Sequence, residues 1–262
     1  MSQTALLDVR GIQKSFGHVR AVRDGSLTVH AGEVVAVVGD NGAGKSTFIS
    51  CVSGALRPDA GTVLLEGDEL EAGSIHAAMD AGIATVYQDL AVAPDLSVAE
   101  NIFLSTEPRR PGLLGKCGFI DHKEMRRRAT VLMDELGIST LGDVSAATGL
   151  LSGGQRQVVA VARAVARAGK LVIMDEPTAA LGAKQSRIVL DTIEATRQRG
   201  LGVILISHDL PRVLEIADRI VVMRLGRAVA DIRPDGMTVS QIVALMLGET
   251  DQTKESSDAP AS

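Results

Sequence analysis

Apolar positions along the chain follow two rhythms. Short, nearly continuous apolar runs dominated by Val, Ile, Leu and Ala occur at 33–38, 83–87, 171–174, 203–207 and 220–223. Runs of this length suit strands covered on both faces. Between them, at 45–53, 122–136, 155–168, 183–198 and 211–216, apolar residues recur every third or fourth position, the spacing of one helix face. Strands alternating with helices predict βαβ units and a mainly parallel sheet, the α/β class. Upstream, turn residues at 16–17, 31–32 and 59–61 separate further β-rich runs, which predicts an antiparallel β subdomain beside the core.

Residues 89–150 break the alternation. They are richer in helix formers, and a loop at 107–118 holds Pro108, Pro111, Gly112, Gly115 and Gly118. This predicts a helical lobe inserted into a core made of 1–88 and 151–248, one domain spanning 5–248. The polar tail, 249–262, is expected to be disordered.

Composition narrows the function. The 262 residues suffice for one large domain, and 45% apolar with 23% charged residues excludes a mostly disordered chain. No apolar run approaches the ~20 residues that cross a bilayer, and the N-terminus shows no charged-then-apolar leader, so neither a membrane span nor a secretion signal is expected. Net charge is −5, with no Trp, one Tyr and four Phe. That lacks both the basic footprint and the aromatic platform of a nucleic-acid binder. Two cysteines, Cys51 and Cys117, are too few for a disulfide framework, which fits a reducing compartment.

Gly39-Asp40-Asn41-Gly42-Ala43-Gly44-Lys45-Ser46 fits G-x-x-x-x-G-K-[ST] between an apolar run and a helical pattern. Glycines let the backbone curl so that successive N–H groups point at phosphate oxygens, and the following helix adds its positive end. Lys45 supplies charge for the β- and γ-phosphates, and Ser46 offers a hydroxyl to Mg²⁺. The pattern marks a P-loop NTPase core. Leu171-Val172-Ile173-Met174-Asp175-Glu176 is an apolar strand ending in two carboxylates. Asp175 can reach a metal, and Glu176 can polarise an attacking water.

Leu151-Ser152-Gly153-Gly154-Gln155 opens a helix with a second run of backbone donors. One domain cannot easily wrap a single nucleotide with two separate cradles, so the economical reading gives the second cradle to nucleotide held by a partner subunit. Together these motifs resemble the ATP-binding subunits of ABC transporters, from about Leu7 to Gly248. The resemblance implies ATP and Mg²⁺ as ligands and coupled ATP hydrolysis as the activity. It implies that Gln88 touches the metal or attacking water and senses the lobe, that His208 contacts the γ-phosphate, and that Phe16 stacks on adenine; a core phenylalanine is the alternative for Phe16. Thr47 follows as a phosphate-loop contact, and the metal set becomes Ser46, Gln88 and Asp175. One departure stands out: Gly182 occupies a position where many members carry Asp, which removes a carboxylate contact across the dimer.

Residues 39–46, 97–104 (Ser-Val-Ala-Glu-Asn-Ile-Phe-Leu) and 178–182 (Thr-Ala-Ala-Leu-Gly) look most like carbohydrate importers of the ribose, xylose and fructose type. Many of those fuse two ATPase halves, whereas this chain resembles the single-domain members, among which fructose importers are prominent. The implied partners are a second ATPase subunit, most simply another copy, a transmembrane permease and, indirectly, a periplasmic sugar-binding protein. The implied location is the cytoplasmic face of the inner membrane. The competing readings are a non-sugar importer, a non-transport ABC ATPase acting on DNA or translation, and a P-loop small-molecule kinase. The chain has neither the sustained heptads nor the tandem units of the second, and the third leaves 151–155 and His208 without a role.

Overall fold

Strand pairing organises the computed structural model, which describes residues 5–249 apart from 88, 139, 140 and 180. Among the described residues, ten strands form one sheet: β1 (Leu7–Phe16), β2 (Val19–Val29), β3 (Val34–Gly39), β4 (Ala60–Leu65), β5 (Asp68–Glu69), β6 (Ile83–Val86), β7 (Leu171–Asp175), β8 (Gly202–Ile206), β9 (Arg219–Arg224) and β10 (Arg227–Ile232). Their spatial order is β5-β4-β1-β2-β10-β9-β3-β8-β7-β6. The five strands from β9 to β6 run parallel, as the uninterrupted apolar runs require. β1, β2, β4 and β5 form the expected antiparallel part. β10 joins the two, antiparallel to β9 and bridged in parallel to β2.

The helices are α1 (Lys45–Val52), α2 (Ile75–Asp80), α3 (Val98–Phe103), α4 (Leu113–Lys116), α5 (His122–Glu135), α6 (Gly153–Arg167), α7 (Ala183–Gln198), α8 (Leu210–Ile216) and α9 (Val239–Leu247). The turn expected at 59–61 is instead the start of β4. Asp59 donates its N–H to the Gln13 carbonyl, and its carboxylate takes the Ser15 N–H at 2.7 Å and the Lys14 ammonium at 2.8 Å. Pairing with β1 therefore overrides the local turn signal of Asp59 and Gly61.

β3 shows why the parallel strands read as unbroken runs. Val34 to Val38 are all fully buried, yet Val35 and Val37 join α1 and the antiparallel strands, whereas Ala36 and Val38 join α8 and α9. Each face meets a different apolar layer, so neither can be polar. Residues of α3, α5 and α6 share a further cluster with Val172, Met174 and Val203 of the sheet, so α6 ties the 89–150 segment to the core. Ser97 starts α3 with a reciprocal cap in which Glu100 takes its N–H and hydroxyl, and the buried Asn101 side chain shares its two amide hydrogens among acceptors of the surrounding turns while its Oδ1 takes the Ala93 N–H. That polar knot sets the geometry of the lobe. The expected tail beyond residue 249 lies outside the described residues.

Candidate functional site

The carboxyl ends of β3, β8 and β7 lie side by side, and beyond them come the phosphate loop, Ser207-His208 and Asp175-Glu176. β3 ends at Gly39, and the chain curls through 40–44 into α1. Gly44 caps α1 at φ 97, and a β-carbon there would overlap the Ala21 carbonyl oxygen; one on Gly39 would overlap that of Met223. The loop is thus pressed between β2 and the β9–β10 turn. Gly226 in that turn donates to the Ala43 carbonyl at 3.0 Å and accepts from the Arg23 N–H at 2.7 Å. This brace carries no motif of its own and was not visible in the sequence.

Lys45 Nζ folds back on the loop, donating to the Gly39 carbonyl at 2.8 Å and to that of Asp40 at 3.1 Å. Burial lowers its pKa, and nearby Glu176, Asp40 and Asp175 oppose that shift. Asp175 shifts the other way: burial raises its pKa, Glu176 adds to the rise, and Lys45 opposes it. The phosphate loop and the end of β7 are therefore electrostatically one site.

Asp175 pairs with Ile206 of β8, and the Glu176 N–H donates to the Ile206 carbonyl at 3.0 Å. That register sets Glu176 beside His208, two residues beyond Ile206, and Glu176 Oε2 lies 2.7 Å from His208 Nδ1. Glu176 holds φ 50, a left-handed conformation that costs a residue with a Cβ. Strain at the residue placed against both lysine and histidine is the pattern expected where geometry is imposed for chemistry.

Ser46 is exposed and Thr47 half-buried on the first turn of α1. Phe16 is 51% exposed at the β1–β2 tip, with Lys14 Nζ 5.8 Å from its ring centre. An exposed ring at this tip, close along β2 to the Ala21 that supports the loop, is not a core phenylalanine. Gln88 lies outside the described residues.

Ser152 caps α6. Its hydroxyl accepts the Gln155 N–H at 3.3 Å, and its own N–H donates to Gln155 Oε1 at 2.9 Å. In front of this turn lies a cavity of about 330 Å³ whose walls are α6 and α7, with Lys184 and Gln185 facing Ser152 and Gln155. The Gln185 side chain covers Gly154, where a β-carbon would overlap its Cγ, and its Oε1 would lie 2.9 Å from a β-carbon on Gly182. Gly182 caps α7 without a side-chain bond. The space of the missing carboxylate is thus bounded by Gln185, which sequence reasoning did not single out. A larger cleft, of about 720 Å³, runs between α6, β6 and the end of α3. Arg163 crosses it to the carbonyls of Leu90 at 2.5 Å and Ala91 at 2.9 Å, and Arg167 reaches that of Leu104.

Comparison with known proteins agrees with this geometry. The family model described as "ABC transporter" matches residues 22–179. A fructose import ATP-binding protein of Rhizobium meliloti is 48% identical over 97% of this chain and 98% of its own length. A xylose/arabinose import ATP-binding protein of Sulfolobus acidocaldarius is 42% identical over 92% and 93% of the two chains. A ribose import ATP-binding protein of Chelativorans sp. is 40% identical over 94% of this chain, which spans 46% of that longer protein. Among solved structures, a nucleotide-free ATP-binding cassette of an ABC transporter superposes with a TM-score of 0.76 at 25% identity, covering 94% of this chain and 96% of its own. An ATP-binding cassette in its ADP conformation gives 0.74 at 27% identity, covering 94% and 96%.

Proposed function

The chain belongs to the ABC transporter family, and from that premise we propose that it is the ATP-hydrolysing subunit of a monosaccharide importer, with fructose as its solute. The observation that carries the proposal is the convergence of Lys45, Asp175, Glu176 and His208 at the strand ends of a P-loop core. Similarity to sugar-import ATPases across nearly the full length supports the solute class, and full-length correspondence with the fructose relative supports the sugar.

In this reading the backbone N–H groups of Asp40, Gly42 and Gly44 face the phosphates with Ser46 and Thr47, those of Asn41 and Ala43 exchange the Asp40 carboxylate and carbonyl for phosphate oxygen, and Lys45 leaves its two carbonyls likewise. A half-buried ammonium whose hydrogen bonds go to two neutral carbonyls can exchange them for charged phosphate oxygens, which is why the loop suits a triphosphate. Phe16 offers its exposed face to adenine. Glu176 orients and deprotonates the attacking water, and His208, bonded to that carboxylate, holds it and reaches the γ-phosphate. Ser46 and Asp175, with Gln88, form a hard oxygen donor set of the kind Mg²⁺ takes; burial and then nearby Glu176 raise the pKa of Asp175, a rise that a cation there would oppose. Bound there, the ion would neutralise phosphate charge.

Ser152, Gly153, Gly154 and Gln155 complete the nucleotide pocket of a second copy, so closing the dimer and engaging the γ-phosphate are one event. The cleft beside Arg163 and Arg167 receives a cytoplasmic segment of the permease. No described helix is long and apolar enough to cross a membrane, and in this reading the permease holds the chain at the cytoplasmic face. The test is uptake: cells lacking this gene should fail to accumulate labelled fructose, and the gene should restore it while its Glu176→Gln form should not. Undiminished fructose uptake with loss of labelled ribose or xylose would reassign the sugar, and undiminished uptake of all three would refute the proposal.

A further inference from the structure

The lobe carries an arm that nothing above uses. Arg109 bridges Ile120, the Arg110 N–H donates to the Phe119 carbonyl at 2.9 Å, and that of Asp121 to the Pro108 carbonyl at 2.7 Å. Helix α4 closes the tip, where Gly115 packs so tightly on the Arg110 carbonyl that a β-carbon would overlap it. The arm is thus built rather than slack. Yet it hides little of its apolar content: Leu113 is 81% exposed, Leu114 50% and Phe119 55%. Ordered chain that displays large apolar side chains marks a contact surface.

Arg109, Arg110 and Lys116 are exposed on the same arm without a carboxylate partner among the described residues. The nearest carboxylates in sequence are engaged elsewhere: Glu107 takes the Ser105 N–H, and Asp121 caps α5 through the Glu124 N–H. Arg187, Arg197 and Arg219, by contrast, are each matched by acidic neighbours. A cationic arm on a chain of net charge −5 would orient the whole molecule towards an anionic surface.

We propose that the arm from Arg109 to Ile120 is a peripheral membrane contact: Arg109, Arg110 and Lys116 bind anionic lipid headgroups, while Leu113, Leu114 and Phe119 enter the boundary between headgroups and acyl chains. Size favours lipid over protein. The arm falls well short of the roughly 20–30 residues a side of a stable protein interface. A few apolar side chains flanked by cations suffice at a lipid surface, where they sink about 5–10 Å. This goes beyond the importer assignment and does not depend on which sugar is carried.

The test is co-sedimentation of the full-length chain with vesicles of phosphatidylcholine, alone or mixed with phosphatidylglycerol. Wild type should bind the mixed vesicles, prefer them over neutral ones, and be released by salt. Arg109→Glu/Arg110→Glu/Lys116→Glu should lose on the order of a hundredfold in partitioning, at several-fold for each cation. Leu113→Ser/Leu114→Ser/Phe119→Ser should bind weakly and release at lower salt. Both triple variants should keep wild-type ATP hydrolysis in solution, which separates a lost contact from a lost fold. No preference for mixed vesicles, or a preference that both variants retain, would overturn the proposal. So would variants whose sole defect is failure to assemble with the permease in detergent.

Discussion

Glu176 allows chemistry and strain to be separated at one position. Replacing it by Gln keeps the shape, the φ of 50 and a polar contact with His208, but removes the group able to take a proton. Loss of a positioned general base lowers turnover about 10²–10⁴-fold, a barrier increase of about 2.7–5.5 kcal/mol. Replacing it by Gly also removes the carboxylate but relieves the left-handed backbone, which costs a residue with a Cβ about 1–2 kcal/mol. Against that gain stand about 0.4–1 kcal/mol of extra unfolded-state freedom and up to about 1 kcal/mol for the half-solvated contact with His208. Glu176→Gly should therefore stay within about 1–2 kcal/mol of wild type while hydrolysing ATP no faster than Glu176→Gln. Phosphate release under saturating ATP and Mg²⁺ measures the first quantity, and urea unfolding without nucleotide the second. A Gln variant keeping more than a tenth of wild-type turnover would refute the base assignment. A Gly variant destabilised by ~3 kcal/mol or more would refute the claim that the backbone is strained there.

Gly44→Ala should destabilise by about 2 kcal/mol or more and abolish ATP binding, because the new methyl meets the Ala21 carbonyl in a left-handed residue; the urea midpoint and nucleotide titration check it. Ser152→Arg should stop turnover while leaving ATP affinity of the single chain nearly unchanged; lost affinity would place Ser152 in its own chain's pocket. Asp175→Asn should steepen the rise of stability with pH on the acid limb of the nucleotide-free profile, because it removes a contribution of the opposite sign. The pKa of Asp175 is raised on folding, so the native state holds its proton longer, and stability from this group falls as pH rises from the usual aspartate value of about 3.9 through the raised one. A variant whose profile matches that of wild type would show that the carboxylate is not buried against Glu176.

Much of the site was legible because its chemistry is local in sequence. The loop from Gly39 to Ser46, the pair Asp175-Glu176 and the turn from Ser152 to Gln155 each occupy a few consecutive residues at the edge of a strong apolar pattern. β10 was not legible: its six residues alternate half-buried and exposed, with Arg227 and Asp231 among them, and neither the run nor the helix rhythm picks that out. The same holds for α9, where Ile242 alone is fully buried. The turn signal at 59–61 misled because Asp59 spends its side chain on β1.

By itself the amino-acid order determined the class of sheet, the phosphate loop and the residue types available for catalysis, since periodicity and short motifs act over one turn or one strand. Tertiary structure alone decided what touches what. The register of β7 on β8 brings Glu176 to His208; the β9–β10 turn braces a loop nearly two hundred residues earlier; Gln185 covers Gly154 and borders Gly182; and the arm at 109–120 turns its leucines outward. Most of these contacts join positions far apart in the chain, and close packing selects them through shape and charge that no local window contains.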